Sequence, residues 1–380
     1  MSLMLQRGSG IPFAERGGRL RGAIDLFTGR YPAFLFGGPL GALVPVFHLH
    51  EVTPAWFEPR LRHLAENGYR TVTADALARY VIDGISPGPR SVALTFDDAR
   101  ASLWTVAAPL LRKYGFTAIT FAVPARMQDA AALRPTLDDG LDRPEAADLS
   151  DNPFVTWQEL RALHTSGIVD VQAHTYTHAA IYCSERPKGF VTPSFGADHI
   201  LNRPLLTPPD TPPGFLPPDA YGAPLYTRRS RMTDARRFLV DAEVISRTRA
   251  YVADRGGAAF FARPGWDDEL RRILPPRQGT FESTADQVRA IEDELDRCHT
   301  ELSARLRSDT VRHLALPWGV AGSLTAHALR RSRYQTAYRE EMFGRQGVRP
   351  GDDPYCLMRL NGKYIGCLPG RGRRFVFSGA

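Results

Sequence analysis

The sequence predicts an α/β protein, a mostly parallel sheet or barrel interrupted by one long insertion. Three observations carry this. From residue 43, short apolar runs alternate with amphipathic stretches, the rhythm of β–α units. The rhythm lapses over residues 179–280, where proline becomes frequent, and returns with a long amphipathic run at Thr284. Three apolar runs lead directly into polar or aromatic segments, TFDD, HTYTH and LPWG, as expected where function collects at the C-terminal ends of parallel strands.

The elements follow in order. Leu43–Leu49 reads as a strand. Pro54–Asn67 is a helix with Phe57, Leu61 and Leu64 on one face, stopped by Gly68. Arg70–Thr73 is a short strand, Ala74–Val81 a helix and Ser91–Phe96 a strand. Ala101–Tyr114 is a helix closed by Gly115, and Thr117–Val123 a strand. The Asp- and Ala-rich stretch Gln128–Asn152 is a long loop. Thr156–Thr165 is a helix in which Thr156 and Glu159 have the capping-box spacing. Ile168–Ala173 is the next strand. Eight prolines between Arg203 and Pro224 resist helix and central strand, and Asp234–Arg249 is a short helical stretch. The aromatics Phe195, Phe215, Tyr221, Tyr226, Phe260, Phe261 and Trp266 argue that this region packs. Thr284–Arg307 is a long helix carrying Val288, Ile291, Leu295 and Leu302. Val311–Leu316 is a strand, Ser323–Arg331 a helix, and Tyr334–Tyr338 and Tyr355–Leu360 the last strands.

Composition narrows the classes. The 380 residues are 43% hydrophobic and 23% charged, an ordinary globular mixture. The net charge is +7, and all but three of the 48 basic residues are arginine. The arginines are interspersed with acids and follow no RNP, zinc-finger or basic-helix pattern, so no nucleic-acid partner is expected. Cys183, Cys298, Cys356 and Cys367 form no C-x-x-C pair, which excludes a zinc ribbon, a thioredoxin motif and a disulfide framework. The first 22 residues have no apolar core behind their positive charges, which points to a cytoplasmic protein without a secretory signal. Tyr31–His50 lacks Asp, Glu, Lys and Arg, but Pro32, Gly37, Gly38, Pro39, Gly41 and Pro45 break it, so it does not read as a membrane span. Contact with a membrane surface stays open.

Three segments hold the chemistry. Asp97 and Asp98 follow an apolar strand, where two unpaired carboxylates are expensive and a bound cation relieves the cost. An Asp pair there also serves as a cap on the next helix. His174 and His178 have the i, i+4 spacing that places two imidazoles on one face of a helical turn. With Asp98 they make a His₂–carboxylate set typical of hydrolytic metal sites, which suits zinc and accommodates other divalent ions. Pro317-Trp318-Gly319 puts a rigid turn and an aromatic plate after a third strand, a pattern equally expected of a plain strand terminator.

These motifs together resemble the NodB-type polysaccharide deacetylases, carbohydrate esterase family 4. TFDD is similar to the first motif, HTYTH to the metal motif and LALPWG to the third motif, with supporting similarity in PVFHLHEV, ENGYRTVTADAL and FVTWQELRALHTSGIVDVQAHTYTH. The resemblance covers roughly residues 44–178 and 281–365. It implies a distorted (β/α)7-type barrel and a metal-dependent hydrolase that removes N-acetyl groups from amino sugars. By the same resemblance Asp97 is the catalytic base, and Asp98, His174 and His178 hold a divalent metal, zinc first, with cobalt or nickel as options. The Trp318 backbone N–H stabilises the oxyanion, with Pro317 and Tyr176 at the substrate.

The chain departs from the family pattern twice. The third motif usually places an arginine where this sequence has Ala315, so another group, an insertion arginine among the candidates, has to orient Asp97. The late general-acid histidine is missing from Tyr355–Leu360. Circularly permuted relatives, the biofilm poly-N-acetylglucosamine deacetylases, carry it on an early strand, where His50 stands here, with His48 as the alternative acid. The expected organisation is an N-terminal extension (1–42), a barrel (43–178 and 281–368), an insertion or cap (179–280) and a tail (369–380). The expected substrate is an N-acetylated carbohydrate or related amide. Hydrolysis of another amide, such as a formamide, and a catalytically silent carbohydrate-binding protein are the competing readings.

Overall fold

The structure is a computed structural model and describes residues 29–197, 200–207, 212–340 and 344–374; the expectation of no secretory signal falls on residues outside these. The chain divides into two compact units. One holds the described residues up to Thr177, then 294–321 and those from Ala326 onward; the other holds those of 178–293 with 322–325. The division falls one peptide bond after Thr177, inside the HTYTH segment.

The first unit is a wholly parallel sheet. Its strands are β1 (Val46–Leu49), β2 (Arg70–Thr71), β3 (Ser91–Asp97), β4 (Ala118–Ala122), β5 (Val169–Ala173), β6 (His313–Ala315), β7 (Thr336–Tyr338) and β8 (Leu360–Asn361). The order is β7-β6-β5-β4-β3-β1-β8, with β2 alongside β3. Segment 357–361 touches both edges: Leu357 bridges Tyr338 in parallel, and Leu360 pairs with Phe47 of β1. A short stretch of chain thus spans the gap that a full strand would fill, and the result is a distorted (β/α) barrel.

Its helices start where small polar residues can cap them. The hydroxyls of Thr53, Thr73 and Thr156 accept from backbone N–H groups at 3.3, 3.3 and 3.2 Å, opening helices Pro54–Glu66, Ala74–Asp83 and Trp157–Thr165. At Thr156 the capping box is complete, because the Glu159 carboxylate accepts the Thr156 N–H at 2.8 Å. Arg134 grips the same carboxylate and also donates to the carbonyls of Asn152 and Phe154, which ties down the long loop 128–152. Residues 101–114 are helical as expected, but Leu103–Ala107 is a π turn. Pro109, lacking an N–H and crowding the carbonyl four residues back, accounts for the widened ladder.

Inward-facing residues of alternate strand positions fill the barrel: Val46, Ala93, Ile119, Phe121, Ala315, Tyr338 and Leu357 belong to one core cluster. The Phe121 and Tyr338 rings meet at 5.3 Å between centroids. Among the described residues no helix is long and apolar enough to cross a membrane, and the four cysteines are free thiols.

The second unit is built from antiparallel pairs of short strands, 180–182 with 228–230, 189–190 with 224–225, and 238–240 with 279–281. Helices Ala242–Ala253 and Trp266–Ile273 pack beside them. Phe195, Tyr226 and Phe260 are buried, so these aromatics serve packing. The helix expected over Asp234–Arg249 begins only at Ala242. Asp234 is instead a cap, accepting from the N–H groups of Ser323 and Leu324 at 2.9 and 3.1 Å, and Phe238–Val240 is a strand. Its partner needs glycine at position 279, where a Cβ would lie 2.1 Å from the Leu239 carbonyl oxygen.

Candidate active site

Asp97 is the last residue of β3, on the inward face with Ala93 and Thr95. It is buried, and its two carboxylate oxygens take the two Nη groups of Arg359 at 2.6 and 2.7 Å. Arg359 also donates to Thr95 Oγ1 at 3.1 Å, and its guanidinium lies 5.5 Å from the Phe121 ring. This fork is bidentate and planar, the strongest form of the guanidinium–carboxylate contact. Burial on its own raises the Asp97 pKa. The Arg359 charge, helped by His174, the hydrogen bonds and His50, outweighs burial and holds the carboxyl well below the usual range.

This answers the question posed by Ala315. The orienting arginine does not come from the insertion, as the sequence suggested. It comes from the segment that bridges the two sheet edges, 262 residues from Asp97 in the chain. Ala315 is fully buried, and its carbonyl oxygen serves another purpose, accepting from His174 Nδ1 at 2.7 Å. That bond places the proton on Nδ1 and leaves Nε2 as the electron-pair donor, facing Asp98 Oδ1 at 3.4 Å.

Asp98, His174 and His178 are all buried. Each presents one ligand atom, and the three atoms lie within 4.8 Å of one another. The geometry that achieves this is not the helical turn inferred from the i, i+4 spacing. Residues 174–178 are irregular, and Thr175 and His178 have φ of 60° and 53°. Asp98 and Ala99 likewise leave β3 in the left-handed region, at 67° and 50°, and Trp318 sits at 55°. Four of the seven non-glycine residues with positive φ among the described residues fall in the three candidate motifs, and a fifth, Ala99, directly follows the first. Each costs about 1–2 kcal/mol, and strain of this kind tends to collect at active sites and ligand clamps.

The donor set fits a divalent cation. Two imidazoles and a carboxylate are ligands suited to zinc and its neighbours, and His174 is already fixed in the required tautomer. Burial lowers the His174 pKa. The contact with Asp98 and the charges of Asp97 and Asp98 outweigh it and raise the pKa, so the two carboxylates draw positive charge, a proton or a cation, to the Nε2 side of the ring.

The sequence did not single out the brace under this loop. Glu294, on the helix Thr284–Leu306, is buried and accepts from the Thr177 N–H at 2.8 Å and from the Thr177 hydroxyl. Its carbonyl oxygen accepts the Tyr176 N–H at 3.0 Å. Tyr176 is half-buried, with the Arg297 guanidinium 4.1 Å from its ring centroid. Pro317 is buried and Trp318 partly exposed in the turn after β6.

His50 lies one residue past β1, its side chain 54% exposed, with Nε2 3.9 Å from Asp97 Oδ2. His48 shares its face within the strand, and the two rings stand 6.1 Å apart. Arg100, buried, anchors the loop that carries His50: it pairs with Glu51 at 2.8 Å and donates to the Asp148 carbonyl at 2.9 Å. Ser102 Oγ accepts the Val52 N–H at 3.1 Å.

Known proteins match the region that holds these residues. The family model for polysaccharide deacetylase matches residues 84–195, which include Asp97, Asp98, His174 and His178. The poly-beta-1,6-N-acetyl-D-glucosamine N-deacetylase of Escherichia coli K12 is 32% identical over 114 residues, 30% of this chain and 16% of that protein. The putative polysaccharide deacetylase YxkH of Bacillus subtilis is 33% identical over 67 residues, 18% of this chain and 24% of that protein. The chain thus spans a quarter or less of the length of these curated relatives. Among solved structures, the BpsB deacetylase domain from Bordetella bronchiseptica superposes with a TM-score of 0.49 at 15% identity, covering 84% of this chain and 95% of the other. IcaB from Ammonifex degensii gives 0.48 at 15% identity, covering 86% and 95%. Residues 84–195 of the chain, which carry Asp97, Asp98, His174 and His178, are thus similar to the polysaccharide deacetylase family.

Proposed function

We propose that the chain is a metal-dependent hydrolase that removes the N-acetyl group from an N-acetylated amino sugar. One observation carries this reading: a buried Asp98–His174–His178 donor set next in sequence to an Asp97 carboxylate held ionised by Arg359. Asp98, His174 and His178 would hold the cation, with zinc the best match and cobalt or nickel as substitutes. When bound, such a cation lowers the pKa of water towards ~7 and polarises the amide carbonyl.

The remaining work falls to the protein. Asp97, kept anionic by the guanidinium fork, takes a proton from the attacking water as its oxygen adds to the acetyl carbon. The C–N bond then breaks, and the amine nitrogen leaves with a proton supplied by His50, whose ring is solvent-reachable and within 4 Å of Asp97. His48 is the reserve acid. The Trp318 N–H would stabilise the developing oxyanion, and Pro317 and Tyr176 would shape the approach of the sugar. The products are acetate and a free amino sugar.

Mass-spectrometric screening of N-acetyl and N-formyl amino-sugar oligomers with zinc-loaded protein tests the reaction. Acetate release from the acetylated oligomers, lost in Asp97→Asn while the fold is retained, supports it. Turnover of the formyl substrates alone reassigns the acyl group, and release undiminished in Asp97→Asn removes Asp97 as base.

A further inference from the structure

The second unit carries an open groove of about 640 Å³, whose lining includes Arg229, Asp234, Arg236 and Phe281. Its size lies in the ordinary range for small-ligand sites, ~300–1,000 Å³. Its charge follows from how the segment 227–238 uses five arginines. Arg228 is buried and donates to the Asn202 carbonyl at 2.6 Å. Arg231 forms a buried fork with Glu282 at 2.7 and 3.0 Å. Arg237 donates to the carbonyls of Leu205 and Thr207, both at 2.8 Å. Arg229, on the opposite face of its strand from Arg228, and Arg236, in the turn that follows, line the groove.

Arg236 is held ready. Its Nε donates to the Glu282 carbonyl oxygen at 2.8 Å and Nη2 donates to the same atom, while Nη1 has no protein partner among the described residues. The guanidinium carbon lies 5.9 Å from the centroid of Phe281, a ring left 39% exposed. Two lining arginines outnumber the one lining acid, Asp234. Glu282 is committed to Arg231 and to the Arg237 N–H, and Asp234 to the cap of the helix Ser323–Arg331. A fixed guanidinium, a second arginine and an exposed aromatic face together recognise a planar or tetrahedral anion carried on a ring.

We propose that this groove binds an anionic sugar unit, a saccharide bearing a carboxylate or phosphate, with the anion on Arg236 and Arg229 and the ring against Phe281. The sugar part rests on the deacetylase reading; the anion part rests on the groove alone. The test is equilibrium binding by the whole chain of a galacturonate trimer, N-acetylglucosamine 6-phosphate and a neutral N-acetylglucosamine trimer. At least one anionic probe should bind, more weakly as salt rises, with Kd increased at least 10-fold in Arg236→Gln and about 3-fold in Phe281→Ala. Arg236→Lys should retain part of the affinity, which separates charge from loss of fold. Equal binding of the neutral trimer, no binding of either anionic probe, or affinities unchanged in both Arg236→Gln and Phe281→Ala would overturn the proposal. Asp97→Asn keeps the anionic probe whatever its acetate release, so the groove and the deacetylase reading fail separately.

Discussion

Replacing Arg359 by alanine should damage both stability and catalysis. In the folded protein the Asp97 carboxylate is buried and takes two guanidinium hydrogen bonds at 2.6 and 2.7 Å. Removing the cation leaves that charge uncompensated, at a cost of about 3–5 kcal/mol, unless the carboxyl takes up a proton. It will tend to do so, because burial raises its pKa and the largest opposing influence has gone. A protonated Asp97 cannot serve as base, and a misplaced one costs about 10²-fold in rate. Arg359→Lys restores the charge without the planar fork and should recover part of both losses. Urea unfolding and the pH profile of kcat/KM, measured for wild type and both variants with metal present, read these effects. The sign is fixed: a depressed folded-state pKa contributes stability above the unfolded value of about 3.9, and this is lost on acidification. The stability gap between wild type and Arg359→Ala should therefore close as pH falls below about 4. An unchanged unfolding midpoint together with an unchanged kcat/KM profile in Arg359→Ala would refute the assignment.

Other expectations follow from the same structure. Glu294→Ala should weaken zinc binding by about 10–100-fold, read by competition with a chromogenic chelator, because the carboxylate under Thr177 shapes the ligand loop. Burial raises the Glu159 pKa, but its bonds to Arg134 and Thr156 outweigh this and lower it, so part of the protein's stability is lost as pH falls below about 4.3. Glu159→Gln should flatten that dependence between pH 7 and pH 3 in thermal melts. Zinc at 100 times its Kd should stabilise the fold by about 2.7 kcal/mol, and this increment should vanish in His174→Ala. Acetate release by the metal-loaded enzyme should fall about 10²-fold or more in His50→Gln and stay near wild type in His48→Gln.

Much of the architecture was legible because it is local. A cap, an apolar stripe and a stopping glycine define the helix Pro54–Glu66, and an unbroken apolar run defines β3. The metal-ligating candidates were legible for the same reason: carboxylates and imidazoles at strand ends stand out in the chain. What eluded the sequence was long-range or conformational. Arg359 reads as one polar residue in an apolar run, and only the bridging of both sheet edges by segment 357–361 brings it to Asp97. Glu294 is one acid among many on a long helix, and its partner Thr177 is 117 residues away. The i, i+4 spacing of His174 and His178 suggested a helical turn, yet the left-handed residues Thr175 and His178 bring the ligands together instead. Spacing alone carries no sign of φ. The one signal that could have found Arg359 is a lone arginine inside the apolar run Tyr355–Leu360.

Hydrolysis by this chain requires that the Asp98–His174–His178 site and Asp97 act together. The most direct measurement is acetate released from N-acetylglucosamine oligomers by the full chain, with bound zinc counted in the same samples, for wild type, Asp97→Asn and His174→Ala. Wild type should bind one zinc and release acetate, Asp97→Asn should keep the zinc and lose the release, and His174→Ala should lose both. Acetate release that survives in Asp97→Asn, or that proceeds undiminished in a His174→Ala protein without zinc, would contradict this requirement.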